Sequence, residues 1–192
     1  MTLSTSISTP TVATGPAGRA MAQPMESSLL EALQDHLGLE RRASAAYFAM
    51  ALWCAERELR GFAHYLKSEA SAEQTHAAKV ADYLIARGQT VILQDVPAPR
   101  QTWASPEEIV ATMFLMEADV TTSLQQLYAM AERAGDVRTT VFLDPMVDSQ
   151  IAAEHEAGHL LGRVRFAQNQ PAALLIIDGE LSDDQHEPAH LA

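Results

Sequence analysis

The chain has 192 residues, 47% of them hydrophobic, with 13 Lys+Arg against 25 Asp+Glu and a formal charge of −12 at pH 7. That balance excludes a nucleic-acid partner, because phosphate binding requires a basic surface. A single cysteine excludes a disulfide framework or a thiolate zinc cluster and points to a reducing, cytoplasmic setting, and no apolar run approaches the roughly 18 residues of a membrane span, so no membrane partner is expected.

Residues 1–25 are rich in Ser, Thr, Ala and Pro and have no acid before Glu26. They read as a disordered tail, lacking the basic start and apolar core of a secretory signal. Ser27 or Ser28 is positioned to cap a first helix running to about Arg57. A second helix is expected from about Leu59 to Arg87, stopped by Gly88. The segment 88–105 carries Pro97 and Pro99 and reads as a loop. Ser105-Pro106-Glu107-Glu108 then supplies a cap, a first-turn Pro and acids at the positive end of the helix dipole. The third helix runs to about Ala134, and Gly135-Asp136 turns the chain. A fourth spans Val137 to about Ala167, with a kink or restart expected at Pro145 and Asp144 as its cap. Pro171 opens a short fifth helix, Ala172 to about Leu181, and residues 183–192 form a second tail. The domain is therefore 26–182.

Tight joints make the first and second helices antiparallel, and likewise the third and fourth. A 27-residue helix is about 40 Å long at ~1.5 Å per residue. The loop 88–105, extended, reaches roughly 60 Å at ~3.3 Å per residue, enough to cross the whole bundle. Two hairpins joined by one long crossover make an all-α, ferritin-like four-helix bundle.

The inward seams, stepped alternately by three and four residues, are apolar at their ends and polar in the middle. They bring Glu40, Glu69, Glu73, His76, Glu117, Gln150 and Glu154 to similar height, with no Lys or Arg among them. Buried unpaired carboxylates cost several kcal/mol each unless protonated or paired. Cations are the natural compensation, and oxygen ligands with one imidazole suit iron, manganese or zinc. Two divalent ions would nearly balance four carboxylates, which points to a dinuclear site. Glu40 to Glu73 and Glu117 to Gln150 are both 33 residues apart, as in a duplicated helix pair. Glu73-Gln74-Thr75-His76 fits the Glu-x-x-His of di-iron bundles. The fourth helix departs from that pattern, with Ala153 three residues after Gln150. Glu156/His159 and Glu187/His190 share the spacing but fall on an outer face and in the tail, where they read as solvated.

Over residues 25–182 the chain resembles the bacterial non-haem ferritins. The resemblance is carried by Glu40 with Tyr47 seven residues on, by Trp53-Cys54, by Glu73 and His76, by Glu117, and by Phe142-Leu143 leading to Gln150. It implies a homo-oligomeric cage, usually of 24 subunits, that oxidises Fe(II) with O2 or peroxide and stores ferric oxyhydroxide. It implies two irons per subunit: one held by Glu40, Glu73 and His76, the other by Glu73, Glu117 and Gln150. Tyr47 is either an electron donor to that centre or a core tyrosine. Ala72, Ser149, Ala152 and Ala153 stand where many relatives carry carboxylates of a third site. Glu69 and Glu154 could serve instead as mobile ligands. Gln74 stands where haem-binding relatives have Met, so no haem is expected. Asp144 and Asp148 either line a threefold entry channel for Fe(II) or, for Asp144, merely cap the restarted helix. Two other classes fit less well. A di-iron redox enzyme of the rubrerythrin or oxygenase kind would usually keep the second Glu-x-x-His. A metal-free helical interaction module leaves the polar seams without a purpose.

Overall fold

The computed structural model describes residues 11–182. Five helices follow in order: α1 (Ser27–Ala55), α2 (Arg60–Ala86), α3 (Pro106–Arg133), α4 (Val137–Phe166) and α5 (Pro171–Ser182). α1 packs on α2, α3 on α4 and α1 on α3, while α5 lies mainly on α2 and touches α4. This is the four-helix bundle with a short fifth helix. Among the described residues no helix is long and apolar enough to cross a membrane.

Three helices end the same way, with one residue in the left-handed region and a six-to-one backbone hydrogen bond. Gly88 (φ 76°) and Gly135 (φ 63°) close α2 and α3, through Gln89 N–H to Leu84 O and Asp136 N–H to Ala131 O, both 2.9 Å. Glycine suits that position because it has no Cβ to clash. α1 closes through Glu58 (φ 60°), with Leu59 N–H donating to Cys54 O at 3.1 Å. The helix consequently stops at Ala55 rather than at Arg57. Its start also differs from expectation. Glu26 occupies the cap position without a side-chain capping bond, and Ser28 instead donates its hydroxyl to the Glu26 carboxylate at 2.9 Å.

α3 begins as its sequence dictates. Ser105 Oγ accepts from Glu108 N–H at 3.2 Å, and the Glu108 carboxylate reaches back to Ala104 N–H at 2.6 Å. α4 excludes the expected restart, because it runs unbroken through Pro145. Asp136 caps it, accepting from Thr139 N–H at 3.3 Å, so Asp144 caps nothing and accepts from Tyr128 Oη at 3.0 Å. A mid-helix proline removes one backbone donor. The helix has two turns before Pro145 and a long buried face after it, so packing outweighs that local loss.

The crossover loop follows α1 over most of its length. Ile92 N–H donates to Gln34 Oε1 (2.7 Å), Gln94 Nε2 to Asp35 Oδ1 (2.7 Å), and Arg41 Nη1 to Gln94 O (2.6 Å). Trp103 anchors its far end, edge-on to Trp53 with ring centroids 6.5 Å apart. Residues 11–25, expected as tail, form a turn at Gly15–Gly18 that rests on the end of α2. There a Cβ on Gly15 would lie 2.0 Å from Gly88 O. Residues 1–10 and the tail 183–192 lie outside the described residues.

The apolar core is in two parts. One gathers Met50, Trp53, Phe62, Leu66, Met113, Leu161 and the buried side of α5. The other gathers Leu33, Leu37, Leu84, Leu124, Leu127 and Leu143. Between them lies a polar layer.

Candidate metal centre

The polar layer consists of side chains a protein core normally excludes. Glu40, Glu69, Glu73, Glu117 and Gln150 are all buried, from 1% exposure at Glu40 to 7% at Gln150. The seam periodicity of each helix turns them inward, with apolar neighbours one or two turns away on either side. Glu40 from α1 and Glu73 with His76 from α2 offer ligand atoms all within 4.8 Å of one another. His76 Nδ1 lies 3.1 Å from Glu73 Oε2, the i,i+3 neighbour relation of one helix face.

Glu117 enters from α3 and is held by two partners. Tyr47 Oη donates to its Oε1, and Gln150 Nε2 donates to its Oε2 at 2.8 Å. Gln150 also donates to the Glu117 main-chain oxygen at 3.2 Å. The predicted residues Tyr47, Glu117 and Gln150 thus meet each other, while Glu40, Glu73 and His76 form the tight cluster. Glu69 is buried one turn before Glu73. Glu154 is half-buried and accepts from the Thr121 hydroxyl. Asp144 and Asp148 are exposed and take no part in the polar layer.

Burial holds the Glu73 carboxyl well above the usual carboxylate range. The His76 hydrogen bond opposes this, and the nearby charges of Glu40 and Glu117 add to it. A cation in the cluster would reverse that balance, taking the place of the proton. Burial likewise raises the Tyr47 phenol well above its ordinary value, helped by the charge of Glu117. A cavity of about 190 Å³, lined by Lys79, Met146, Ser149 and Phe142, reaches Glu40, His76 and Gln150 from the surface. The cluster is therefore buried yet approachable by small species.

The seams pass by one residue in direct contact with Glu40. His36, 1% exposed, is one turn before Glu40, with Nε2 3.0 Å from Glu40 Oε1 and Nδ1 2.9 Å from Ser123 Oγ of α3. Burial pushes its pKa down to about 4, so the ring is neutral at physiological pH. The seam path steps from Leu33 to Leu37 to Glu40 and passes His36 by. The i,i+4 relation to Glu40 is the signal that could have found it.

Carboxylates and imidazole converging between facing helices define the carboxylate-centred four-helix bundles. A family model described as a ferritin-like domain matches residues 30–167. A bacterial non-heme ferritin of Staphylococcus haemolyticus is 33% identical over 130 residues, covering 68% of this chain and 78% of its own. A probable bacterial non-heme ferritin-like protein of Haemophilus influenzae is 24% identical over 159 residues, 83% of this chain and 96% of its own. Among solved structures, an open pore ferritin of Archaeoglobus fulgidus superposes with a TM-score of 0.82 at 29% identity, over 85% of this chain and all of that one. The chain belongs to the ferritin family.

Proposed function

We propose that the protein stores iron. It would oxidise Fe(II) with O2 or peroxide at a two-iron centre and hold the ferric product inside a homo-oligomeric cage, in the family's usual form a 24-mer without haem. The observation that carries this reading is the buried Glu40–Glu73–His76 cluster. In the proposal these three groups hold one Fe(II). Glu73 reaches across to a second, which Glu117 serves, and Gln150 keeps the Glu117 carboxylate turned inward. Hard carboxylate oxygens stabilise Fe(III) over Fe(II) and so favour electron loss to the oxidant. Tyr47, hydrogen-bonded to Glu117, would give a further electron or orient that carboxylate. Glu69 and Glu154, beside the cluster and beside Thr121, act as transient ligands in transfer. Asp144 and Asp148 would attract Fe(II) only where copies of the chain bring them together, by focused negative potential. The cytoplasm is the compartment that fits a buried free thiol at Cys54.

The lack of a Glu-x-x-His at Gln150, where Ala153 stands three residues on, favours storage over the rubrerythrin or oxygenase kind of redox chemistry. The buried carboxylates of the layer favour either over a metal-free interaction module. Anaerobic addition of Fe(II) followed by air tests the reading. Wild type should develop ferric absorbance within minutes and retain the iron in a particle far larger than 20.9 kDa, whereas Glu73→Ala should oxidise at least tenfold more slowly. Equal rates in the two proteins would remove the proposed centre.

A further inference from the structure

His36 is a buried imidazole that the proposed iron chemistry does not use. Its two nitrogens face two different helices: Nδ1 is 2.9 Å from Ser123 Oγ on α3 and Nε2 is 3.0 Å from Glu40 Oε1 on its own helix. The Nε2–Glu40 approach is a close contact and not a formed hydrogen bond, and Nε2 has no hydrogen-bond partner among the described residues. A neutral imidazole donates from one nitrogen and accepts at the other. A lone pair on Nε2 facing a carboxylate oxygen at 3.0 Å would be repelled, so the compatible tautomer carries its proton on Nε2 and accepts the Ser123 hydroxyl proton at Nδ1. Packing fixes the ring as well, since it is 1% exposed between Leu33 and Leu37 at the edge of the apolar cluster.

We propose that His36 is a positioning residue for iron oxidation: braced by Ser123, its Nε2–H holds one oxygen of Glu40 so that the other is presented to the metal. The inference rests on the reading of Glu40 as an iron ligand. A modest rotation of the Glu40 carboxylate toward a bound cation would bring the pair into line. Hydrogen-bond partners behind ligating groups fix ligand orientation, and losing one typically costs about 10–100-fold in metal affinity or activity. Ser123 supplies more than packing, because its hydroxyl selects the tautomer and ties the α1 ligand to α3.

The test uses the full-length protein and Co(II) as a spectroscopic stand-in for Fe(II), alongside the aerobic Fe(II) oxidation rate. His36→Leu fills the space without a donor, whereas His36→Gln restores an N–H near the position of Nε2. The expected result is Co(II) binding about tenfold weaker in His36→Leu, with altered ligand-field bands and slower oxidation. His36→Gln should return to within about threefold of wild type. Binding in His36→Leu equal to wild type, or Gln no better than Leu, overturns the proposal. Should His36→Leu fail to fold, Ser123→Ala decides. At a half-buried hydroxyl it disturbs little packing, and unchanged Co(II) spectra and affinity there overturn the role. A wild-type protein that neither binds Co(II) nor oxidises Fe(II) overturns the storage reading itself and this inference with it.

Discussion

At Glu73 the demands of folding and of chemistry oppose each other. Its carboxyl is raised by burial and by the Glu40 and Glu117 charges. The metal-free folded state therefore binds its proton more tightly than the unfolded chain does. Linkage then makes the contribution of this residue to stability fall as pH rises from the ordinary carboxylate value of 4.5 through the raised one. Glu73→Gln removes the ionisation and keeps the shape. The metal-free variant should be more stable than metal-free wild type at pH 7 by about 1–2 kcal/mol, with a flatter stability-versus-pH curve. It should also lose rapid Fe(II) oxidation. Chemical denaturation of both metal-free proteins at pH 5 and pH 7 checks this, and equal stability at pH 7 would count against it. The same local view explains what was legible in the sequence. Glu40, Glu73 and His76 could be found because helical periodicity alone places them on inward faces. The pairing of Glu117 with Tyr47 and Gln150 depends on the relative height of three helices, which no spacing within one helix specifies.

Helix ends show where local rules stop. Ser105 and Gly88 act as their residue types suggest, because capping and left-handed closure involve only residues within one turn. α2 is different. Its N-cap, Leu59, has no side chain able to cap. The acceptor comes from α5, where Asp178 Oδ1 accepts from Phe62 N–H at 2.9 Å, 116 residues away in the chain. No reading of residues 57–63 could reveal it. Gly61 makes this contact possible: a Cβ there would sit 1.7 Å from Asp178 O, far inside any allowed separation. Gly61→Ala must therefore push α5 off the start of α2 and take away its cap. Two costs combine, overpacking of about 1–3 kcal/mol and the lost cap of about 1 kcal/mol. Limited proteolysis should cut the variant first in the α4–α5 connection at residues 167–170. Wild-type resistance there would show that α5 is held by other contacts. Pro145 errs in the opposite direction, since a strong local breaker yields to the packing around it.

At the scale of the whole molecule, charge and apolar surface oppose each other. The chain carries −12, and part of that charge lies on carboxylates of the buried layer, where a cation would cancel it. The rest makes copies repel over about a Debye length, roughly 8 Å at physiological salt. Yet the surface retains large exposed side chains: Phe48 at 51%, Leu52 at 45% and Phe166 at 90%. Phe48 and Leu52 stand four apart on the outer face of α1. With Ala45, Ala49, Trp53 and Pro99 they line a groove of about 340 Å³ beside the crossover loop. Neither Phe48 nor Leu52 belongs to the two core clusters, and in the proposed cage an apolar strip of this kind is where copies of the chain would meet. Phe48→Glu combined with Leu52→Glu should convert the assembled protein into smaller species by sedimentation velocity. Co(II) binding at the centre should persist, because neither side chain belongs to the polar layer. Raising the ionic strength should strengthen wild-type assembly by screening repulsion, and should rescue the variant poorly, because the missing term is apolar contact. A variant sedimenting like wild type would mean that copies of the chain meet through other faces.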